Sequence, residues 1–244
     1  MKALNSFLGL VAFFALALFF SNCQQFPDLP PLERVQAQTH ILNLLGPDRV
    51  DIFLETGGSE IPFGSRVAFG EGYPENGYAS LLTRTETNAD SQRAAVFIRA
   101  NNTFSLDPVL ERTLFFLNPS INTTIAMIDS FGTTKILRAA DSFPEFTADT
   151  TAAIRFMNLA YHLPSVSLRS ADSTILLERY NFLTYSSFEE VPAGKHDFLF
   201  IEDGSNISVA DLTGVDLEVG KTYNVWFTWR NGNSIGGIEE LKEK

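Results

Sequence analysis

The 244-residue chain contains one cysteine, three histidines, two tryptophans and three methionines, and its 18 basic residues are outnumbered by 29 acidic ones. A single cysteine excludes an intramolecular disulfide, so the fold must stand on its apolar core. His40, His162 and His196 lie far apart with no partner at i+2 or i+4, which argues against a zinc site. A formal net charge of -11 repels phosphate and anionic headgroups, so nucleic acid is excluded as a partner and a basic membrane-binding patch is absent. Also missing are a Gly-x-Ser-x-Gly elbow, a His-Glu-x-x-His pair, a phosphate loop and a dinucleotide fingerprint. Gly70-Glu71-Gly72 imitates the last, but Glu75 stands where its third glycine belongs. No cofactor is implied, and no metal.

The cysteine itself stands at position 23, directly behind the apolar run Phe7 to Phe20, which has the length of a secretory signal rather than of a membrane span. Phe20-Ser21-Asn22-Cys23 resembles a bacterial lipoprotein signal, of the looser kind found in spirochaetes and Bacteroidota. The resemblance implies removal of residues 1–22, acylation of Cys23, and a lipid-anchored protein of the cell envelope, at the outer membrane rather than the inner. Three prolines between Cys23 and Gln38 favour an extended tether.

Beyond the tether the apolar pattern has period two. Val50, Ile52 and Leu54 alternate with Asp51, Phe53 and Glu55, and Tyr223, Val225, Phe227 and Trp229 with Thr222, Asn224, Trp226 and Thr228. Phe198–Ile201 and Leu114–Leu117 read as strands buried on both faces, and turn signals such as Asn118-Pro119, Pro192-Ala193-Gly194 and Gly220-Lys221 separate the runs. The fold expected is all-β. Internal matches in constant order suggest a repeat: Ile41–Leu44 with Phe156–Leu159, Tyr78–Leu81 with Tyr185–Phe188, Val96–Ile98 with Leu199–Ile201, and Thr123–Ile128 with Thr222–Phe227. They predict two tandem antiparallel β-sandwich domains of immunoglobulin-like or transthyretin-like type, residues 39–141 and 152–244, joined by a short polar connector.

Within the second half, Ala153–Leu159, Pro164, Val166-Ser167-Leu168, Phe182 with Tyr185, Val191-Pro192-Ala193-Gly194 and Gly220-Lys221-Thr222-Tyr223 together resemble the domain-of-unknown-function family 4397. The resemblance implies a small envelope β-sandwich, frequent in bacterial lipoproteins, with no enzymatic activity to carry over. The first half departs from it through a Gly-rich insertion from Phe63 to Gly77 and Asn118-Pro119-Ser120 in place of Gly-Lys.

The motif residues have structural explanations. Asn43 and Asn158 stand at strand ends, where an amide satisfies loop backbone. Pro192, Gly194 and Gly220 shape turns, and Tyr223 opens a strand. Residues that could face a ligand are Tyr161 and His162, in a loop before Pro164, and Trp226 and Trp229, on opposite faces of one strand. Glu189-Glu190 and Glu202-Asp203 are adjacent carboxylates, which on a strand point to opposite faces and cannot act as an acid/base pair without a bend. Glu202–Asn206 reads as a hairpin turn rather than a calcium loop. Three functions follow in order: a non-catalytic envelope lipoprotein that binds or scaffolds a protein or glycan partner, a carbohydrate- or host-matrix-binding module, and a hydrolase using loop carboxylates.

Overall fold

In the computed structural model, residues 34–56, 59–75, 77–88 and 91–242 are described, and they form one compact unit. Cys23, the apolar segment and the proline-rich stretch lie outside them. Every regular element among the described residues is a strand. The expectation that the tether extends to Gln38 is corrected: residues 34–38 already belong to the first strand, where they pair with residues 80–84.

Nine strands make the first half: β1 (Arg34–Leu44), β2 (Arg49–Thr56), β3 (Ser59–Ala68), β4 (Gly72–Tyr73), β5 (Ala79–Asn88), β6 (Ser91–Asn102), β7 (Pro108–Leu117), β8 (Asn122–Ser130) and β9 (Thr133–Asp141). Nine more follow: β10 (Thr151–Leu159), β11 (Ser165–Ser170), β12 (Leu176–Asn181), β13 (Thr184–Tyr185), β14 (Glu189–Pro192), β15 (Gly194–Glu202), β16 (Ile207–Leu217), β17 (Thr222–Arg230) and β18 (Asn233–Leu241). The pairings are the same in both halves. β1 pairs antiparallel with β4 and β5 and parallel with β8, as β10 does with β13, β14 and β17. β2 lies between β3 and β6, as β11 lies between β12 and β15. Only the first half links its two sheets into one, because the long β5 also pairs with β6.

Each half folds around its own core. Ile41, Val50, Ile52, Leu54, Val96, Ile98, Ile125 and Met127 belong to the first, and Ile154, Phe156, Val166, Leu168, Phe198, Phe200, Val225 and Phe227 to the second. A third cluster unites Leu42, Leu44, Ala126, Ile128 and Leu137 with Met157, Leu159 and Trp226, the alternate residues of β1, β8, β9, β10 and β17. The β1-β8-β9 sheet therefore packs its outer face on the same face of the β10-β17-β18 sheet, giving four layers. Corresponding surfaces meet one another, an isologous contact within one chain.

This layering explains which strands are buried on both sides. All of Thr222–Thr228 is buried, polar alternates included, because one face meets the second core and the other the middle layer. The expectation of double burial for Leu114–Leu117 and Phe198–Ile201 is corrected: Leu114 and Phe116 are exposed, and Leu199 and Ile201 half-buried, because these strands belong to the outer sheets. In β18, consecutive glycines leave room for rings on both faces. A Cβ on Gly236 would stand 2.0 Å from Phe200 Cε2, and one on Gly237 2.1 Å from Trp226 Cζ2.

The register also corrects several of the internal matches. Asn43 stands opposite Met127 and Asn158 opposite Phe227, so Thr123 corresponds to Tyr223, one residue from the match expected. Ile52 faces Ala100 and Leu168 faces Phe200, so Ala100, rather than Phe97, corresponds to Phe200. Tyr78 corresponds to Phe188, since Ala79 faces Thr39 as Glu189 faces Ile154. The segment read as a Gly-rich insertion is mostly shared structure. Arg66 and Arg179 both have positive φ, of 57° and 62°, and the next residues, Val67 and Tyr180, offer equivalent carbonyls to Asn43 and Asn158.

Candidate functional site

The two asparagines act alike. Asn43 Nδ2 donates to Val67 O at 3.0 Å while its Oδ1 accepts from Leu45 N, and Asn158 Nδ2 donates to Tyr180 O at 2.7 Å while its Oδ1 accepts from Ala160 N. Both are fully buried, tying the end of the first strand of a half to the end of its third. Gly194 and Gly220 have φ of 120° and 72°. Pro192 O accepts from His196 Nε2 at 2.9 Å, and the Tyr223 hydroxyl accepts from Glu218 N at 3.0 Å. Of these residues, Gly220 borders a cleft, together with Phe143, Lys221 and Glu240.

A polar network is buried where the halves meet. Arg155, 1% exposed, stands 2.6 Å through Nη1 from Asp141 Oδ1 and donates from Nε and Nη2 to Asn224 Oδ1. Asp141 Oδ2 accepts from Tyr78 at 2.6 Å and Thr124 at 2.8 Å. His40, the counterpart of Arg155, sets Nδ1 against Gly77 O and Nε2 against Glu239 Oε2, both at 3.1 Å. Each ring nitrogen thus faces an acceptor, the environment of an imidazolium. Burial works against that charge, but Glu239, Gly77 O and Asp141 outweigh it and raise the His40 pKa above its ordinary value. Burial and the neighbouring Asp141 together push the Tyr78 hydroxyl far up. With each cation of one half meeting a carboxylate of the other, this network is a lock rather than an open site.

An open cleft lies at one end of the same seam. A cleft of about 240 Å³ is lined by Leu44, Gly46, Asp129, Phe131 and Gly132 from the first half and by Tyr161, Trp229, Arg230, Asn231 and Gly232 from the second. The two sets occupy corresponding places: Asp129 matches Trp229, and the turn Phe131-Gly132 matches Asn231-Gly232. Tyr161 packs on Phe131 with ring centroids 4.1 Å apart. Trp229 packs against His162 with ring centroids 3.9 Å apart and planes tilted by 38°, and His162 meets Ser234 Oγ through Nε2. Burial lowers the His162 pKa, with a smaller opposing pull from Glu202. Arg230 is held by Gly46 O at 2.9 Å and Asp48 at 2.6 Å, over the Phe69 ring.

Of the four residues read as ligand-facing, Tyr161 and Trp229 line this cleft, and His162 stands behind Trp229. Trp226 is corrected: only 4% exposed, it packs in the middle layer against Phe69 and cannot present its ring to a ligand. Phe131 and Arg230 carried no signal in the sequence analysis. The register of the repeat would have found Phe131, by showing an aromatic where the other copy has asparagine. Glu190 is engaged by Thr147, whose amide and hydroxyl both donate to it and hold its carboxyl below the usual range, while Glu189 accepts from Ser187. No group of three or more His, Cys, Asp or Glu able to hold a metal occurs among the described residues.

No protein-family model matches the chain, and no curated protein matches it. Among solved structures, the C-terminal domain of AlgF from P. aeruginosa is 18% identical over 38% of this chain and 99% of its own, with a TM-score of 0.30. A family 26 carbohydrate-binding module of Eubacterium rectale Amy13K, solved with maltoheptaose, is 13% identical over 86% of this chain and 98% of its own, with a TM-score of 0.24. A candidate cell-adhesion protein from Bacteroides uniformis is 10% identical over 88% and 99%, with a TM-score of 0.23. TM-scores at this level carry no argument about what this chain does.

Proposed function

We propose that this protein is a non-catalytic binding module of the bacterial cell envelope, lipid-anchored at Cys23, with the seam cleft as its contact surface. The polarity of β1 carries the reading. Arg34 lies at one pole and Leu44 at the other, about 33 Å away at the rise usual for a strand. The parallel pairing of β1 with β8 brings the Phe131 turn to the Leu44 pole. The sequence that follows Cys23 therefore joins the described strands at the pole opposite the cleft. The pairs Glu189-Glu190 and Glu202-Asp203 lie outside the cleft lining, and Glu190 is bound to its own connector, so nothing favours the hydrolase reading.

Fractionation of cells carrying the wild-type chain or Cys23→Ala tests the anchor, and added protease tests the display. The wild type is expected in the membrane fraction and the alanine variant in the soluble one. Retention of Cys23→Ala in the membrane would overturn the anchor. Cleavage of the wild type on intact cells, with a periplasmic control protein spared, marks outward display. Protection until the outer membrane is opened directs the partner search to the periplasm.

A further inference from the structure

The turn at the cleft mouth is built against its own backbone preference. Ser130 pairs with Thr133 and Arg230 with Asn233, so each half closes this hairpin with two residues. All four turn residues have positive φ: Phe131 50°, Gly132 73°, Asn231 51° and Gly232 84°. That is the type I′ signature, for which Asn-Gly is among the most favourable sequences and a bulky ring at the first position a strained one. The second half uses Asn-Gly, and the first uses Phe-Gly. The Phe131 ring is 79% exposed, so burial does not account for it either. A residue that is both strained and exposed is a candidate for contact with a ligand.

We propose that Phe131 and Tyr161 form a stacking platform for a sugar ring of a neutral glycan, with Trp229 at its side. This rests on the reading of the cleft as a contact surface and adds its ligand class. More of the exposed lining is polar than apolar: Asp129, Asn231 and the turn backbones supply donors and acceptors for the hydroxyls of a sugar, and the Phe131 and Tyr161 rings supply the apolar contact beside them. The volume lies below the roughly 300–1,000 Å³ common for enclosing drug-sized ligands. A cleft of this size suits one ring of a longer chain. Arg230 is neutralised by Asp48, so no free cation of the lining awaits an anionic sugar, and a net charge of -11 disfavours one.

The test titrates the full chain with maltoheptaose, cellohexaose, xylohexaose and chitohexaose, reading tryptophan emission, in the wild type, Phe131→Asn and Tyr161→Ala. Binding of at least one glycan is expected, weakened tenfold or more by either substitution. The Tm of Phe131→Asn is expected to hold or rise, because the new turn copies Asn231-Gly232. A fall of more than about 2–4 °C would show that Phe131 serves folding, and would overturn the proposal. So would undiminished binding by both variants, or no response to any of the four at about 10 mM, well above a millimolar Kd. A failure here with Cys23→Ala still released from the membrane rejects the glycan and leaves the envelope binding module standing.

Discussion

Single side chains decide how the two halves are held. Asn43 and Asn158 each close one donor and one acceptor that water cannot reach, so Asn43→Ala and Asn158→Ala are each expected to cost about 2–4 kcal/mol in denaturant unfolding, by similar amounts because the geometry is the same. Arg155→Leu leaves Asp141 buried without its cation and is expected to cost about 3–5 kcal/mol. His40 has a pH signature. Its folded pKa is raised above the unfolded value of about 6.5, so its contribution is complete below that pH and is lost as the pH climbs through the folded value. The Tm of the wild type should therefore decline on the alkaline side of about 6.5 more steeply than that of Glu239→Gln, where burial of His40 is no longer offset. Equal slopes would show that the His40–Glu239 pair does not couple folding to protons.

Strands carry the next level of information. β18 runs Asn233-Ser-Ile-Gly-Gly-Ile, a poor strand by propensity, and it is one because its neighbours need space. Gly236→Ala drives a methyl into Phe200 and Gly237→Ala one into Trp226, so each is expected to destabilise by about 1–3 kcal/mol, and thermal melts of the two variants check it. Strand existence was legible from period-two alternation: the runs at Val50–Leu54 and Thr222–Trp229 are strands. The internal repeat was legible as an order of motifs and was misread in register, because short apolar runs match one another at several offsets. Only hydrogen-bond pairing separates those offsets. For the same reason the candidate cleft is half-legible in the sequence: Tyr161 and Trp229 are aromatics near a loop or strand end, whereas Phe131 is distinctive only against the matching turn Asn231-Gly232.

At the scale of the whole molecule, the middle layer makes the halves depend on each other. Leu42, Leu44, Ala126 and Ile128 on one side and Met157, Leu159 and Trp226 on the other share one cluster across the seam, and His40 and Arg155 each meet a carboxylate of the opposite half. The full chain is expected to unfold in one transition. Residues 152–244 expressed alone should bind a hydrophobic dye and aggregate, in contrast to the full chain. Two separated transitions in calorimetry would show that the middle layer is too weak to couple the halves.

The all-β class, the order of motifs that two related halves share, and the excess of acidic residues are legible in the sequence. Those properties are written in composition and in spacing along one strand, where each residue's face is set by its parity. Which strands are covered twice, which carboxylate meets which cation, and that Phe131 stands beside Tyr161 were decided by the tertiary structure alone. A strand's alternation reports that one face is apolar. It does not report that the other face will meet its own counterpart from the second half, because that contact joins residues distant along the chain through packing, to which no local period corresponds.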